Sequence, residues 1–183
     1  RSATPLMLMA LGGLLCDRAG VFNIAMEGFA LVGAFAAVAC VQFSGGSVWI
    51  GLLGALVIGA LYSAIFGLFV TKFKADNIIA SLAMNTLGAG LTSYLLRAMF
   101  DVQGAYAPDN IEKLSMIEIP IIKDIPILNC ISGQSIVTYF AVILMVAIYI
   151  MLFKTKTGLG ICAVGESDVA ARTAGIKPEI VKW

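Results

Sequence analysis

Long uncharged runs divide the chain. Positions 48–71 hold 24 residues without a charge, 78–100 hold 23 with only Arg97 near the end, and 135–153 hold 19. A helix needs about 20 predominantly apolar residues to cross a bilayer, so each of these predicts a span. Two shorter runs, 4–16 and 29–43, predict short spans. Between them lies CDRAGVFNIAMEG (16–28), with Asp17, Arg18, Asn23 and Glu27 flanked by Gly20 and Gly28. The pattern predicts an all-α, polytopic transmembrane helix bundle of about five spans, the first two short and joined by a polar break.

Composition narrows the class. Of 183 residues, 60% are hydrophobic and 13% charged, about half the roughly 25% charge of a soluble domain. A soluble chain of this size needs more polar surface, and disordered chains are charge-rich and apolar-poor. A net charge of +1 without a basic run argues against nucleic acid as a partner. Cys16, Cys40, Cys130 and Cys162 are scattered and histidine is absent, so no metal site and no cofactor are expected; the cysteines read as small apolar filler. The chain starts at Arg1 and stops at Trp183 and is expected to be a piece of a longer protein. Its first apolar run, with neither a basic start nor a small-residue cleavage site, reads as a span rather than a signal peptide.

Charge placement orients the spans. The link 72–77 carries Lys72 and Lys74, and 154–183 carries Lys154, Lys156, Arg172, Lys177 and Lys182. The link 101–134 has Lys113 and Lys123 against Asp101, Asp109, Glu112, Glu118 and Asp124. Basic loops stay cytoplasmic, so 101–134 is expected to be an extracellular link, with the third and fifth spans running inward and the break near the cytoplasmic side. Trp49 at the external start of the third span suits an interfacial aromatic. Pro108, Pro120 and Pro126 predict a cap with edge-like extended pieces in IEIPIIKDIPIL (117–128) rather than a further span.

Within the spans, small and polar residues recur every four positions. Gly51, Ala55, Gly59, Ser63 and Gly67 are expected to share a helical face, for close helix packing or for lining an aqueous path. Ser81, Asn85, Ala89 and Ser93 repeat that spacing, with Thr86, Gly88 and Thr92 beside them. An amide in lipid needs a partner, so Asn85 either bonds between helices or faces a path for a polar solute. The break admits two readings as well. One is an interrupted helix whose free backbone groups serve a site or gate; the other is a cytoplasmic turn with solvated charges. In the basic tail, 157–160 reads as a turn. Ser167 or Asp168 is expected to cap a short helix through Thr173, which Gly175 ends, and Pro178 opens another. Gly158, Gly160 and Ala163 match G-x-G-x-x-A, but a dinucleotide site needs a preceding strand, and here a spanning helix precedes. No P-loop motif occurs in the sequence.

CDRAGVFNIAMEGFALVGAF (16–35) resembles the ERxGVxNIxxEGxMLxGAF signature of ATP-binding-cassette importer permeases of the nucleoside and simple-sugar group, within the branched-chain-amino-acid and ribose permease superfamily. RSATPLMLMALGGLL (1–15) and KADNIIASLAMNTLGAGLTSYLLR (74–97) are similar to neighbouring stretches there. TKTGLGICAVGESDVAARTAGI (155–176) resembles the cytoplasmic loop that docks the ATPase, TxxGLxLRAVGExxxAAxxAGI. Asp17 stands in place of the usual Glu. Ile161 and Cys162 replace a hydrophobic–Arg pair, which removes an arginine from that loop.

The resemblance implies a type II importer permease fold, partial over 1–183, with 154–183 as a cytoplasmic ATPase-coupling loop and no covalent chemistry of its own. The implied partners are an ABC ATPase subunit, a second permease subunit, a substrate-binding lipoprotein or receptor, and membrane lipid, in a prokaryotic cell membrane. Gly165, Glu166, Ala170, Ala171 and Gly175 would form the coupling contact. Asn23, Glu27 and Gly28 would belong to the interrupted helix and, with Ser81, Asn85 and Ser93, to the substrate path. NIAMEG looks more like the nucleoside branch than the ribose branch, where a pattern like GGIDLS stands, so nucleosides are the expected solute and simple sugars the next. Two other classes remain: an ion-coupled secondary transporter using Glu27 or Asp17, and a structural membrane subunit.

Overall fold

In hydrocarbon, a backbone must satisfy its own hydrogen bonds, so uncharged runs fold as helices. A computed structural model describes residues 3–102, 104, 116–117 and 134–182. The helices are α1 (Ala3–Arg18), α2 (Met26–Phe43), α3 (Val48–Thr71), α4 (Asn77–Phe100), α5 (Ile136–Lys154), α6 (Lys156–Glu166), α7 (Asp168–Thr173) and α8 (Pro178–Val181). Beside them stands one antiparallel pairing of β1 (Met116–Ile117) with β2 (Gln134–Ser135). Among the described residues, four helices, α2 to α5, are long and apolar enough to cross a membrane. At 16 residues, α1 reaches only about 24 Å, short of a hydrocarbon core of roughly 30 Å. The protein is an all-α, multi-pass membrane helix bundle. The proline-bearing stretch 118–128, Cys130 and most of the link 101–134 lie outside the described residues.

Local chemistry sets the helix ends. Asp76 caps α4, its Oδ1 accepting from the amides of Ile78 at 2.9 Å and Ile79 at 3.1 Å. Ser135 caps α5 and Ser167 caps α7. Gly175 follows α7 at φ +82°, and Pro178 opens α8. The turn expected at 157–160 is helix instead: Thr155 caps α6, its hydroxyl accepting from Gly158 N at 3.3 Å. Gly158 serves close packing there, because a Cβ on it would run into the backbone of Met151 and Leu152 in α5. Also, α2 starts three residues before the apolar run, at Met26. Its first turn takes Glu27, whose charge suits a helix N-terminus.

The helices pack as two groups. In one, α2 lies against both α3 and α4; in the other, α1 lies against α5 and α6. Thr4 and Thr138, each near the start of its helix, share a hydroxyl hydrogen bond of 3.0 Å, and Arg18 at the end of α1 meets α6, which follows α5, so α1 and α5 run in the same direction. The first group encloses Val21, Ala25, Val32, Tyr62, Phe66 and Met84. Phe29 meets Tyr62 and Phe66 edge-on, with centroids 5.6 and 5.9 Å away. The Tyr62 hydroxyl donates to Met84 O at 2.5 Å, which satisfies its one donor inside the core.

The four-residue stripes do not stay on one face. A helix repeats every 3.6 residues, so each step of four drifts by about 40°. On α3, Gly51 packs on Val41 and Ala37 of α2, and Gly54 on Cys40, but Gly59 and Gly67 have open space where a side chain would stand. Ala55 is half-buried and Ser63 exposed, the latter's hydroxyl turned back to Ala60 O. On α4 the buried face is Ser81, Met84, Gly88 and Thr92, while Ala89 and Ser93 are exposed.

Helices α2 and α4 also approach backbone to backbone. A Cβ on Gly28 would lie 2.9 Å from Met84 O, and one on Gly88 would lie 3.0 Å from Gly28 Cα. A side chain at 88 must therefore push two backbones apart. Gly88→Val is expected to destabilise the protein by about 1–3 kcal/mol or more. Gly90→Val, on the same helix with open space around it, serves as the control. Thermal unfolding of both variants in detergent checks this, and equal melting temperatures would contradict it.

Candidate functional site

The break between α1 and α2 is where regular backbone stops inside the bundle. The turn closes on α1 itself: Ala19 N reaches Leu15 O at 3.1 Å and Val21 N reaches Cys16 O at 2.9 Å. Gly20 takes φ +75°, a conformation that glycine reaches at low cost. Beyond it, side chains supply what a helix would have supplied. Ile24 N donates to Ser81 Oγ at 3.2 Å, and Ile24 O accepts from Asn85 Nδ2 at 3.1 Å. Gly28 N donates to Asn85 Oδ1 at 2.7 Å. Asn23 Oδ1 accepts from Ala25 N at 2.8 Å. Ser81 Oγ also donates, to Asn77 O at 2.7 Å, so its hydroxyl is used in both directions.

These contacts place the break. Ser81 and Asn85 stand four and eight residues beyond Asn77, the start of α4, hence about 6 and about 12 Å along a helix of about 36 Å. The break therefore lies in the third of the bundle nearest Asp76, not at mid-depth. It is neither a plain solvated turn nor a fully embedded one. Val21, Ala25 and Ser81 are buried, at 6%, 0% and 0% exposure, while Asp17, Arg18 and Glu27 are exposed.

A cavity of about 620 Å³ opens between the two helix groups beside the break, bounded by Cys16, Asn23, Phe29, Ser63, Phe66 and Lys182 among others. That volume lies in the range of small-molecule sites, and its walls are chiefly apolar. Of the candidate path residues, Asn23 faces it. Glu27, Gly28, Ser81 and Asn85 belong to the break and its hydrogen bonds, and Ser93 stands apart on the exposed side of α4. Asn23 also points its amide nitrogen at Cys16 Sγ, 3.9 Å away.

The coupling candidates fall on α6, α7 and the turn after them. Gly165 packs on the backbone of Arg18 and Gly20. Glu166 ends α6 exposed, Ala170 is exposed and Ala171 buried, and Gly175 makes the left-handed turn. Two ion pairs tie α7 to α8: Lys182 Nζ to Asp168 Oδ2 at 2.9 Å, and Arg172 to Glu179. The Glu179 carboxyl is held below the ordinary range, first by its own backbone N–H and also by the Arg172 charge. The meeting of Gly20 with Gly165 and the Gly28–Gly88 approach were not expected from sequence. A glycine carries no periodic signal that names its distant partner.

A guanosine ABC transporter permease protein of Bacillus subtilis, NupQ, is 37% identical over 95% of this chain and 56% of its own length. A nucleoside ABC transporter permease protein of Lactococcus lactis, NupC, is 29% identical over 99% of this chain and 58% of its own. A glucose ABC transporter permease protein of Haloferax volcanii, TsgB13, is 31% identical over 98% of this chain and 49% of its own. The chain thus spans about half the length of the curated relatives it matches. No solved structure matches it significantly. Residues 1–183 match throughout the family described as the permease component of the branched-chain amino acid transport system, and the chain belongs to that family.

Proposed function

We propose that the chain is part of a permease subunit of an ATP-binding-cassette importer for nucleosides, in a prokaryotic cell membrane. The observation that carries this is the likeness, over nearly the whole chain, to permeases named for guanosine and nucleosides. The protein moves solute and catalyses no covalent chemistry; a partner ATPase subunit hydrolyses ATP. A second permease subunit completes the pore, and a substrate-binding lipoprotein or receptor delivers solute outside. The end of the bundle bearing Lys72, Lys74, α6 and α7 faces the cytoplasm, and 101–134 faces outward. Segment 154–183 docks the ATPase through Gly165, Glu166, Ala170, Ala171 and Gly175.

The substrate path runs beside the break. Asn23 borders the cavity, Gly28, Ser81 and Asn85 hold the break in shape, and Glu27 and Ser93 add exposed polar groups on α2 and α4. Both polar ends of Asn85 are already engaged by backbone, which supports an indirect role for it. Within α3, Gly51 sets the approach to α2, while Ala55, Gly59, Ser63 and Gly67 supply a small surface for the second permease subunit or the path.

Three outcomes are expected. Proteoliposomes holding the full-length permease, its ATPase and its receptor should take up guanosine only with ATP, and an uncoupler should leave uptake unchanged. Uptake driven by an ion gradient would overturn the reading, and glucose uptake in place of guanosine would move it to sugars, as the relative from Haloferax volcanii suggests.

Asn85→Leu leaves Gly28 N and Ile24 O without partners. It is expected to cost about 1–3 kcal/mol of stability with little change in solute KM. A raised KM at unchanged stability would instead put Asn85 in contact with solute.

Glu166→Arg should reduce co-purification of the ATPase without altering receptor binding. Normal recovery of the complex would count against that docking surface.

A further inference from the structure

Gly165, next to last in α6, rests on the turn that ends α1. A Cβ on Gly20 would lie 3.0 Å from Gly165 Cα and 3.3 Å from its carbonyl oxygen, and a Cβ on Gly165 would run into the Arg18 carbonyl. Two backbones touch here with no side chain between them. The other end of α6 is held in the same way, by Gly158 on the backbone of Met151 and Leu152. Near its end, Val164 is 1% exposed. An 11-residue helix, about 16 Å long, braced at both ends by backbone contact, moves as one piece. Beyond it α7 follows after Ser167 alone, which is extended at φ −160° and ψ 115°.

On the other side of the contact, three residues separate Gly20 from Ile24, the first backbone position that α4 holds. The segment between α1 and α2 is therefore gripped at two places. Ser81 and Asn85 fix it from α4, and Gly165 fixes it from α6. Closely packed backbones do not deform continuously; they shift between discrete arrangements. A displacement of α6 must then either break the Gly20 contact or carry the turn with it, which strains the hydrogen bonds to Ile24 and Gly28.

We propose that the Gly20–Gly165 contact transmits movement of α6 and α7 to the break, making Gly20 a positioning residue that couples the nucleotide state of the partner ATPase to solute access. This rests on the permease reading above. It requires glycine at both positions: at 20 for the left-handed φ and the close approach, at 165 for the approach alone.

The test uses Gly20→Asn in the full-length permease, assembled with its ATPase and receptor in nanodiscs. Asparagine tolerates positive φ, so the turn is kept while the added side chain wedges Gly165 away. The complex should still co-purify with basal ATP hydrolysis within about twofold of wild type, whereas receptor-stimulated hydrolysis and uptake should fall about tenfold. Hydrogen exchange supplies a second readout. In the wild-type complex, amides of 20–28 should change their exchange rate on adding a non-hydrolysable ATP analogue, and Gly20→Asn should abolish that change.

Stimulated hydrolysis retained in Gly20→Asn, or wild-type exchange at 20–28 that ignores nucleotide, would overturn the proposal. Should Gly20→Asn fail to assemble, the wild-type exchange result decides alone. A wild-type chain that binds no ATPase overturns the permease reading and this proposal together. A wild-type complex that works, with Gly20→Asn unaffected, overturns this proposal only.

Discussion

A stretch of backbone that leaves the helix inside an apolar bundle must find hydrogen-bond partners elsewhere, and the rest of this structure depends on how residues 19–28 meet that demand. In hydrocarbon each unsatisfied amide or carbonyl costs several kcal/mol. Ser81 and Asn85 answer three such groups, at Ile24 N, Ile24 O and Gly28 N. To reach them, α4 must lie almost in contact with the start of α2, which is why Gly28 and Gly88 meet without side chains. Once that distance is set, Met84 and Tyr62 close the core around it, the Tyr62 hydroxyl taking up Met84 O. A polar requirement at one turn thus fixes the spacing of three helices.

The same break separates the two helix groups. With α2 bound to α3 and α4, and α1 bound to α5 and α6, the seven residues between α1 and α2 are the shortest covalent link across the divide. The cavity beside Asn23 lies along that divide. Its walls come from both groups, so its shape is sensitive to their relative position in a way that the packed core of Val32, Phe66 and Met84 is not. For a protein proposed to alternate its access, a gap at the seam between two rigid groups is a physically suitable place for change, since interfaces shift more readily than cores.

The sequence carried the spans because lack of charge over about 20 residues has one structural solution in lipid. It also carried the chemistry of the ends: Ser167, Gly175 and Pro178 act at α7 and α8 as their cap, left-handed and N1 preferences require. The polar cluster at 16–28 spans the place where helix stops, between Arg18 and Met26. What it hid was geometry. Four-residue spacing groups Ser81 and Asn85, which bond to the break, with Ala89 and Ser93, which are exposed, because it ignores the drift of a 3.6-residue helix. The glycines of α6 looked like a turn, since glycine's absence of a side chain signals flexibility and close approach alike. Only the backbone of Met151 and Leu152 beside Gly158 tells the two apart.

The last segment shows how little intrinsic stability a short terminal helix has. A six-residue helix such as α7 is far below the length at which a helix holds itself in water. Of its ion pairs, Arg172 with Glu179 is exposed and Asp168 with Lys182 is half-buried at the lysine; exposed pairs contribute from nothing to about 1 kcal/mol. The Ser167 cap adds a comparable amount, and Ala171, 2% exposed, offers a single methyl to the packing. Such an element opens at low cost unless something covers it. Its exposed Val169, at 73%, and Ala170 lie on the side that Ala171 does not use. A partner that buried those residues would supply the stability α7 lacks and would gain a lever whose other end, through α6, rests on the break.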